Sequence, residues 1–166
     1  AEINPDRLYR TLDRLLPLAS SDARTCALLL RIGEINNDLL KDLDAVESAY
    51  RRAINQSSAE WLPHRRLFFV LIERGDSAGA IGVGEEITRR FSPDVVDADF
   101  LVAWGDLALK ADVLGAAKDA FAAYRRLRPA DPRALNMLAE IARRSGDTAL
   151  AEQHLSEALD TGQPDP

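Results

Sequence analysis

The chain has 166 residues, of which 46% are hydrophobic and 29% charged, so it is long enough to form one globular domain with its own core. Its net charge of −6 argues against a general nucleic-acid binder, because contact with the phosphate backbone needs a basic surface. A single cysteine excludes an internal disulfide, and no apolar run is long enough to cross a membrane. We therefore expect a soluble protein, cytoplasmic or periplasmic, without direct membrane insertion.

Apolar residues recur at helical spacing along nearly the whole chain, and the alternation typical of strands is absent. Prolines and pairs such as Gly-Asp and Ser-Ser interrupt this pattern at intervals of about one helix length. The sequence therefore predicts an all-α protein whose successive helices are joined by short turns and run antiparallel. The predicted helices cover residues 5–18, 22–40, 43–56, 60–74, 77–91, 95–111, 113–127, 132–145 and 148–161.

The last four predicted helices contain an internal repeat. The segment that starts at Asp97 can be laid over the one that starts at Asp131, an offset of 34 residues (131 − 97). Large residues then match large ones, and small residues match small ones. The matched pairs are Leu101 with Leu135, Trp104 with Leu138, Gly105 with Ala139, Ala117 with Ala151, and Phe121 with Leu155. A period of this length indicates stacked helix pairs.

This pattern resembles the tetratricopeptide repeat (TPR) family, whose unit is a helix–turn–helix of about 34 residues. The characteristic positions of one unit are filled by Leu101, Trp104, Gly105, Ala117, Phe121, Tyr124 and Pro129. The resemblance implies a right-handed α-α superhelix, or solenoid, forming a single domain over residues 1–166. Its parts would be an unpaired helix at 5–18 and repeats at about 26–58, 60–93, 97–130 and 131–164.

A glycine cluster in the fifth predicted helix raises the question of a nucleotide site. The stretch SAGAIGVGEEI, residues 77–87, has glycines at positions 79, 82 and 84. A phosphate-binding loop needs a preceding strand and usually a following Lys-Ser or Lys-Thr. Here two glutamates follow instead, and they would repel a phosphate. The repeat alignment places the cluster inside a packed helix, so we predict no nucleotide binding.

One of these glycines occupies a position that is bulky elsewhere. Gly84 aligns with Tyr50 and Phe121 in neighbouring repeats. An interior glycine lowers helix stability by roughly 0.5–1 kcal/mol relative to alanine. We therefore predict that this helix is the least stable of the array, or that a bulky neighbour such as Phe68 fills the space at Gly84.

Residues that could carry chemistry are few and scattered. His64 and His154 belong to different repeats, and neither has a cysteine or a second histidine at the spacing of metal ligands. We expect His154 on the outward, solvated side of its helix. A cysteine near a helix start can have a lowered pKa, but Cys26 has no identifiable histidine partner, so we interpret it as a structural thiol. The sequence predicts no catalytic, metal or cofactor site.

The resemblance also implies where a ligand would bind. In this family the first helix of each pair lines a concave groove that holds extended or helical segments of other proteins. Carried over by the repeat offset, the groove positions form three rows. The first row is Leu30, Arg65, Val102 and Asn136, the second is Glu34, Phe69, Asp106 and Glu140, and the third, nearer the turn, is Asn37, Ile72, Leu109 and Arg143.

The second row carries three carboxylates and one aromatic ring, so the expected ligand is a protein or peptide with basic and apolar residues. The alternative is that these are solvated polar positions without a partner. One subtype of the family holds a C-terminal carboxylate with lysines and asparagines. The residues at those places here do not favour that mode; they are Arg65, Phe69, Asp106, Arg133 and Met137.

The resemblance thus implies a non-catalytic protein–protein interaction scaffold. Alanine- and arginine-rich repeats of this style resemble those of bacterial envelope assembly and exopolysaccharide-export proteins. The alternative is an accessory repeat domain of a larger enzyme, such as a glycosyltransferase or sulfotransferase. The unpaired first helix, and an uncovered last face with Leu150, Leu155 and Leu159, predict either a fragment of a longer array or self-association through the ends.

Overall fold

The computed structural model describes residues 5–161, with side chains from residue 7 onward, and this part of the chain contains nine α-helices and no strand. A 3-10 turn, Leu16–Leu18, follows the first helix, and a π-helical turn, Asn36–Leu40, follows the second. The helices are α1 Pro5–Leu15, α2 Asp22–Ile35, α3 Leu43–Gln56, α4 Trp61–Arg74, α5 Ser77–Arg90, α6 Ala98–Lys110, α7 Leu114–Leu127, α8 Arg133–Arg144 and α9 Thr148–Thr161.

The chain divides into two compact units between Phe91 and Ser92. The first unit contains α1 to α5, and the second contains α6 to α9. All nine predicted helices are present, and the all-α prediction is confirmed. The largest difference in a helix end is at α2, where regular α-helix stops five residues before the predicted end (40 − 35) and the π-helical turn takes over.

The repeat at 26–58 has one residue more near its turn than the repeat pattern requires, and the π-helical turn accommodates it. A π-turn fits one more residue into a helical turn than an α-helix does. Asn36 is buried, and its Nδ2 donates to the Ile32 carbonyl at 2.9 Å, so its amide has a partner. Lys41 then adopts a left-handed conformation with φ 56°, which ends the helix before α3. The insertion is thus absorbed at the end of α2 without disturbing α3.

Aspartates in the turns start four of the helices. Each side chain accepts a hydrogen bond from the backbone N–H three residues further on, at 2.8 to 3.0 Å, which satisfies a group that has no partner within the helix. In two of the turns a glycine with φ near +80° precedes the aspartate, a conformation that a residue with a Cβ rarely adopts. The four aspartates are Asp42, Asp76, Asp97 and Asp147.

In the first unit, α2 packs with α3 and α4 with α5, while α1 lies against α2. Gly33 on α2 lies so close to Tyr50 on α3 that a Cβ there would be 2.7 Å from Cζ of the ring. Tyr50 is buried, and burial, the largest influence on it, raises its pKa to about 12. The missing side chain at Gly33 therefore makes room for an aromatic ring between the two helices.

The second unit contains the same arrangement of a glycine facing an aromatic ring. Its pairs are α6 with α7 and α8 with α9. A Cβ on Gly105 of α6 would lie 2.7 Å from Cε2 of Phe121 on α7, and the Phe121 side chain is fully buried. Trp104 is buried beside Gly105 in the sequence. A glycine on the first helix therefore receives an aromatic ring from the second helix in both units.

The glycine cluster lies within α5, as predicted, and not in a loop. Gly82 is exposed, and a Cβ there would meet nothing within 4 Å. Gly84 is buried, and Phe68 on the paired helix α4 is fully buried. The preceding turn belongs to Asp76, whose carboxylate already accepts the Gly79 N–H. The Asp76 carboxylate thus occupies the place at the start of α5 where a phosphate would bind.

Candidate functional site

Of the twelve residues predicted to line a groove, eleven lie on the first helices of the pairs, α2, α4, α6 and α8, and Asn37 lies in the π-helical turn that follows α2. Eight of the twelve are predicted to contact the ligand, and none of these eight is buried. Ligands could therefore reach all of them, three in the first unit and five in the second. Those half-buried are Glu34, Arg65, Phe69, Val102, Asp106 and Glu140, and those exposed are Asn136 and Arg143.

In the first unit, α4 presents an aromatic ring with an arginine over it. The guanidinium carbon of Arg65 lies 4.9 Å from the centroid of the Phe69 ring, which is cation–π geometry. On the next residue, Arg66 reaches α2, where its Nη2 lies 3.4 Å from Oε1 of Glu34. Arg31 donates to the other oxygen of Glu34 at 2.8 Å. The Glu34–Arg66 pair brings the two first helices of this unit together.

The second unit has an equivalent bridge between α6 and α8. Nη2 of Arg133 donates to Oδ2 of Asp106 at 2.7 Å. Two turns further along α8, Glu140 accepts hydrogen bonds from Nε of Arg144 at 2.8 Å and Nε of Arg143 at 2.9 Å. These bonds, that of Arg144 first, hold the pKa of the Glu140 carboxyl below its ordinary value. Glu140 is therefore ionised and bound to arginines of its own helix.

All three carboxylates of the second predicted row thus have arginine partners within the chain, which the sequence did not predict. Because exposed ion pairs contribute little to stability, these pairs can be exchanged at low cost. A basic side chain of a ligand would compete with Arg66 for Glu34, or with Arg133 for Asp106. Each unit therefore presents carboxylates and arginines side by side on its first helices.

The third predicted row needs one correction. Asn37 is half-buried and Ile72 is exposed, as expected of accessible positions, but Leu109 is buried. The reason is that the end of α8 lies against this turn of α6. Nη1 of Arg144 donates to the Leu109 carbonyl at 3.1 Å, so the position next to the turn is covered by the neighbouring pair.

The prediction for His154 was also wrong in part. It is half-buried, and its Nδ1 is shielded from solvent without a hydrogen-bond partner. The residue stands three positions after Ala151 and four before Ala158, the two buried residues of α9. Because residues at this spacing share one side of a helix, His154 lies at the edge of the packed face and not on the outward side.

Within residues 5–161, no group of three or more His, Cys, Asp or Glu side chains is placed to hold a metal ion. Cys26 is buried, and burial, followed by the nearby charge of Glu60, raises the pKa of its thiol. A raised pKa disfavours the reactive thiolate. The structure therefore supports a structural role for Cys26.

His64 is fully buried at the start of α4. Its Nδ1 lies 2.8 Å from the carbonyl oxygen of Glu60, while Nε2 has no hydrogen-bond partner and lies 4.0 Å from Oε1 of Glu86. Because a carbonyl only accepts, Nδ1 carries the proton in the neutral ring. The ring also packs edge-on against Phe91, with 5.0 Å between centroids. Burial lowers the pKa of His64, which outweighs the opposing effects of the Glu60 carbonyl and Glu86.

We expect His64 to make the stability of the first unit depend on pH. The unfolded chain takes up a proton below about pH 6.5, whereas the buried ring does so only at lower pH because its pKa is lowered. Stability is therefore full above pH 6.5 and decreases as the pH falls from 6.5 towards the pKa of the folded state. Urea unfolding at pH 7.5, 6.5 and 5.5 would measure this slope, and His64→Gln should flatten it. His154→Gln is the control, and an equal flattening there would contradict the assignment.

The structure also shows a feature that the sequence did not predict, a cleft of about 490 Å³ in the first unit. It lies between the end of α1, the start of α2 and the end of α3, and none of the predicted groove residues lines it. Apart from Leu29, which is a position of the repeat pattern, nothing in the sequence singles out its residues. They are Asp13, Leu16, Pro17, Thr25, Leu29, Arg52, Asn55 and Gln56.

No family model matches the sequence, and neither does any curated protein. In the described part of the chain, no helix combines the length and the apolar character that crossing a bilayer requires. The three-dimensional structure, in contrast, is similar to solved structures. Among them is YrrB, described as a TPR protein with an unusual peptide-binding site, at 15% identity and a TM-score of 0.68, covering 95% of this chain and 78% of that one.

Two further solved structures extend the similarity. MamA from Desulfovibrio magneticus RS-1 has 16% identity and a TM-score of 0.58, and the match covers 97% of both chains. A tetratricopeptide repeat protein from Parabacteroides merdae has 14% identity and a TM-score of 0.63, covering 86% of this chain and 55% of that one. At this level of identity the similarity concerns the fold. Together with the helix pairs described above, it establishes that the chain has a tetratricopeptide-type repeat fold.

Proposed function

We propose that the protein is a non-catalytic interaction scaffold that binds a protein or peptide segment along its first helices. The observation that carries this proposal is the alignment of accessible groove residues across neighbouring first helices, joined by the Glu34–Arg66 and Asp106–Arg133 pairs. Each unit supplies one such surface. Because TPR folds present their first helices to ligands, we expect a partner segment to bind on these surfaces.

The chemistry of the two surfaces favours a ligand with basic and apolar residues. In the first unit, the half-buried Phe69 offers an apolar face with Arg65 over it. In the second unit, Asp106 and Glu140 hold arginines that a ligand's lysine or arginine can replace. Val102 adds a half-buried apolar side chain on α6. Charge complementarity of this kind selects partners more than it adds affinity.

We propose that the protein takes part in bacterial envelope or exopolysaccharide-export assembly. The alanine- and arginine-rich composition of the repeats supports this proposal. The alternative is an accessory domain of a larger enzyme. A glycosyltransferase or sulfotransferase domain encoded next to this segment in the same polypeptide would favour the alternative.

A crosslinking pull-down from native lysate tests the groove assignment. The bait proteins are the wild type, the double variant Asp106→Arg/Glu140→Arg, and a control with the same charge change, Glu85→Arg/Asp119→Arg, at exposed positions of second helices. We expect partners that the wild type and the control capture and the groove variant loses. Partners retained by all three baits would contradict the groove assignment. Loss from both variants would attribute capture to net charge, which also contradicts it.

A further inference from the structure

The outer face of α9 is apolar and acidic, and nothing within residues 5–161 covers it. Leu155 is 47% and Leu159 72% exposed. The two leucines stand four residues apart, so they form one ridge along the helix. The helix has three carboxylates, Glu152, Glu157 and Asp160, and neither lysine nor arginine. We call the exposed leucines with Glu152 and Asp160 the α9 ridge.

The cleft of the first unit has the complementary character. Its floor is formed by Leu16 and the buried Leu29, and its rim carries Arg52, Asn55 and Gln56 at the end of α3. None of these three rim side chains has a hydrogen bond or an ion pair to another residue within 5–161. All three are exposed and present N–H donors.

The surroundings of the cleft extend this complementarity. Leu15 and Leu18, next to the cleft at the end of α1, are 42% and 74% exposed. The adjacent α1 carries arginines at positions 7, 10 and 14, whereas α9 carries no arginine. The lining of the cleft has one carboxylate, Asp13 on α1, and one cation, Arg52 on α3. The cleft therefore offers apolar surface with its positive charge on the α3 side, and the α9 ridge offers protruding leucines beside carboxylates.

We propose that the cleft of one molecule receives the α9 ridge of a second copy of this chain. Leu159 and Leu155 enter the apolar floor, and Asp160 and Glu152 receive hydrogen bonds from Arg52, Asn55 and Gln56. The two surfaces are different, so the contact is heterologous, and a joined pair keeps a free cleft on one copy and a free ridge on the other. Association therefore continues as an open chain or closes into a ring, according to the rotation between copies. It is also weak, because a single helix against a cleft buries less than a stable interface of roughly 1,200 Å².

Sedimentation velocity of the full chain at low salt, over about 5–500 µM, measures this association. We expect the weight-average mass to rise beyond that of a dimer. Leu159→Ser removes the apolar contact and Arg52→Glu reverses the charge of the cleft. Each should raise the dissociation constant at least about tenfold. Both positions are exposed, so the fold is expected to persist, and circular dichroism would verify this.

A mixture of the two variants gives the decisive result. Leu159→Ser keeps an intact cleft and Arg52→Glu an intact ridge, so an equimolar mixture should form a dimer that grows no further. Arg52→Glu/Asp160→Arg within one chain should restore growth, and the control Arg89→Glu, exposed on α5, should leave it unchanged. A wild type that stays monomeric, a mixture that does not dimerise, or variants that associate like the wild type would overturn the proposal.

Discussion

Replacing Phe68 with glycine is expected to lower the free energy of unfolding by about 4 kcal/mol, and Gly84→Phe, which destabilises the wild type, is expected to cause little further loss when added to Phe68→Gly. In the other two pairs with an aromatic ring, the glycine stands on the first helix (Gly33 and Gly105) and the ring on the second. In the α4–α5 pair the ring is on the first helix and the glycine is on the second. Phe68 occupies the glycine position and Gly84 the position of the ring.

The expected energies follow from burial. Phe68 is fully buried, so its removal leaves a cavity and adds the cost of an interior glycine. On the prediction that Phe68 fills the space at Gly84, the change Gly84→Phe alone forces a second ring into that space, and overpacking of this kind costs about 1–3 kcal/mol. The double variant again has one ring and one glycine between the two helices. It should therefore be more stable than the sum of the single effects by about 1–3 kcal/mol.

Chemical unfolding of the four proteins in the double-mutant cycle measures this coupling. Phe69→Gly with Gly82→Phe provides a matched cycle on the same two helices, because Phe69 is only half-buried and Gly82 has open space around it. The matched cycle should be additive. Additive energies for Phe68 and Gly84 as well would mean that the ring does not fill the space at Gly84, and α5 would then be a helix with a packing defect.

Features that depend on local chemistry could be predicted from the sequence. The Gly-Asp pairs at Gly75-Asp76 and Gly146-Asp147 each predict a turn residue in the left-handed conformation and a carboxylate that caps the next helix. The helical spacing of the apolar residues between such turns predicts where the helices lie. The repeat offset then transfers positions from one pair to another, which is why eleven of the twelve predicted groove residues are accessible.

Features that depend on contacts between distant residues could not be predicted. The partner of Arg66 is Glu34, 32 residues earlier (66 − 34), and many other carboxylates would fit an arginine equally well in the sequence. Leu109 is buried because the end of α8 reaches its turn, an arrangement that the repeat pattern does not encode. The cleft around Arg52 arises where α1 ends against α2 and α3. It involves an unpaired helix, so no repeat position could point to it.

Gly105→Ala is expected to destabilise the protein by about 1–2 kcal/mol, even though alanine is the better helix former. The gain from helix propensity is about 0.5–1 kcal/mol. The opposing effect is steric, because the Cβ of the alanine would lie 2.7 Å from Cε2 and 2.8 Å from Cζ of Phe121. Phe121 is fully buried, so its ring cannot move aside without shifting α7. Overpacking costs about 1–3 kcal/mol, and it therefore outweighs the gain.

Gly115→Ala is the matched control for this change. Gly115 is exposed on α7, and a Cβ there would meet nothing within 4 Å, so only the gain in helix propensity remains. Thermal unfolding should show a melting temperature lower by about 2–6 °C for Gly105→Ala and higher by about 1–4 °C for Gly115→Ala. A Gly105→Ala variant as stable as Gly115→Ala would mean that α6 and α7 tolerate separation. The close contact between glycine and ring would then not be what sets the distance within a helix pair.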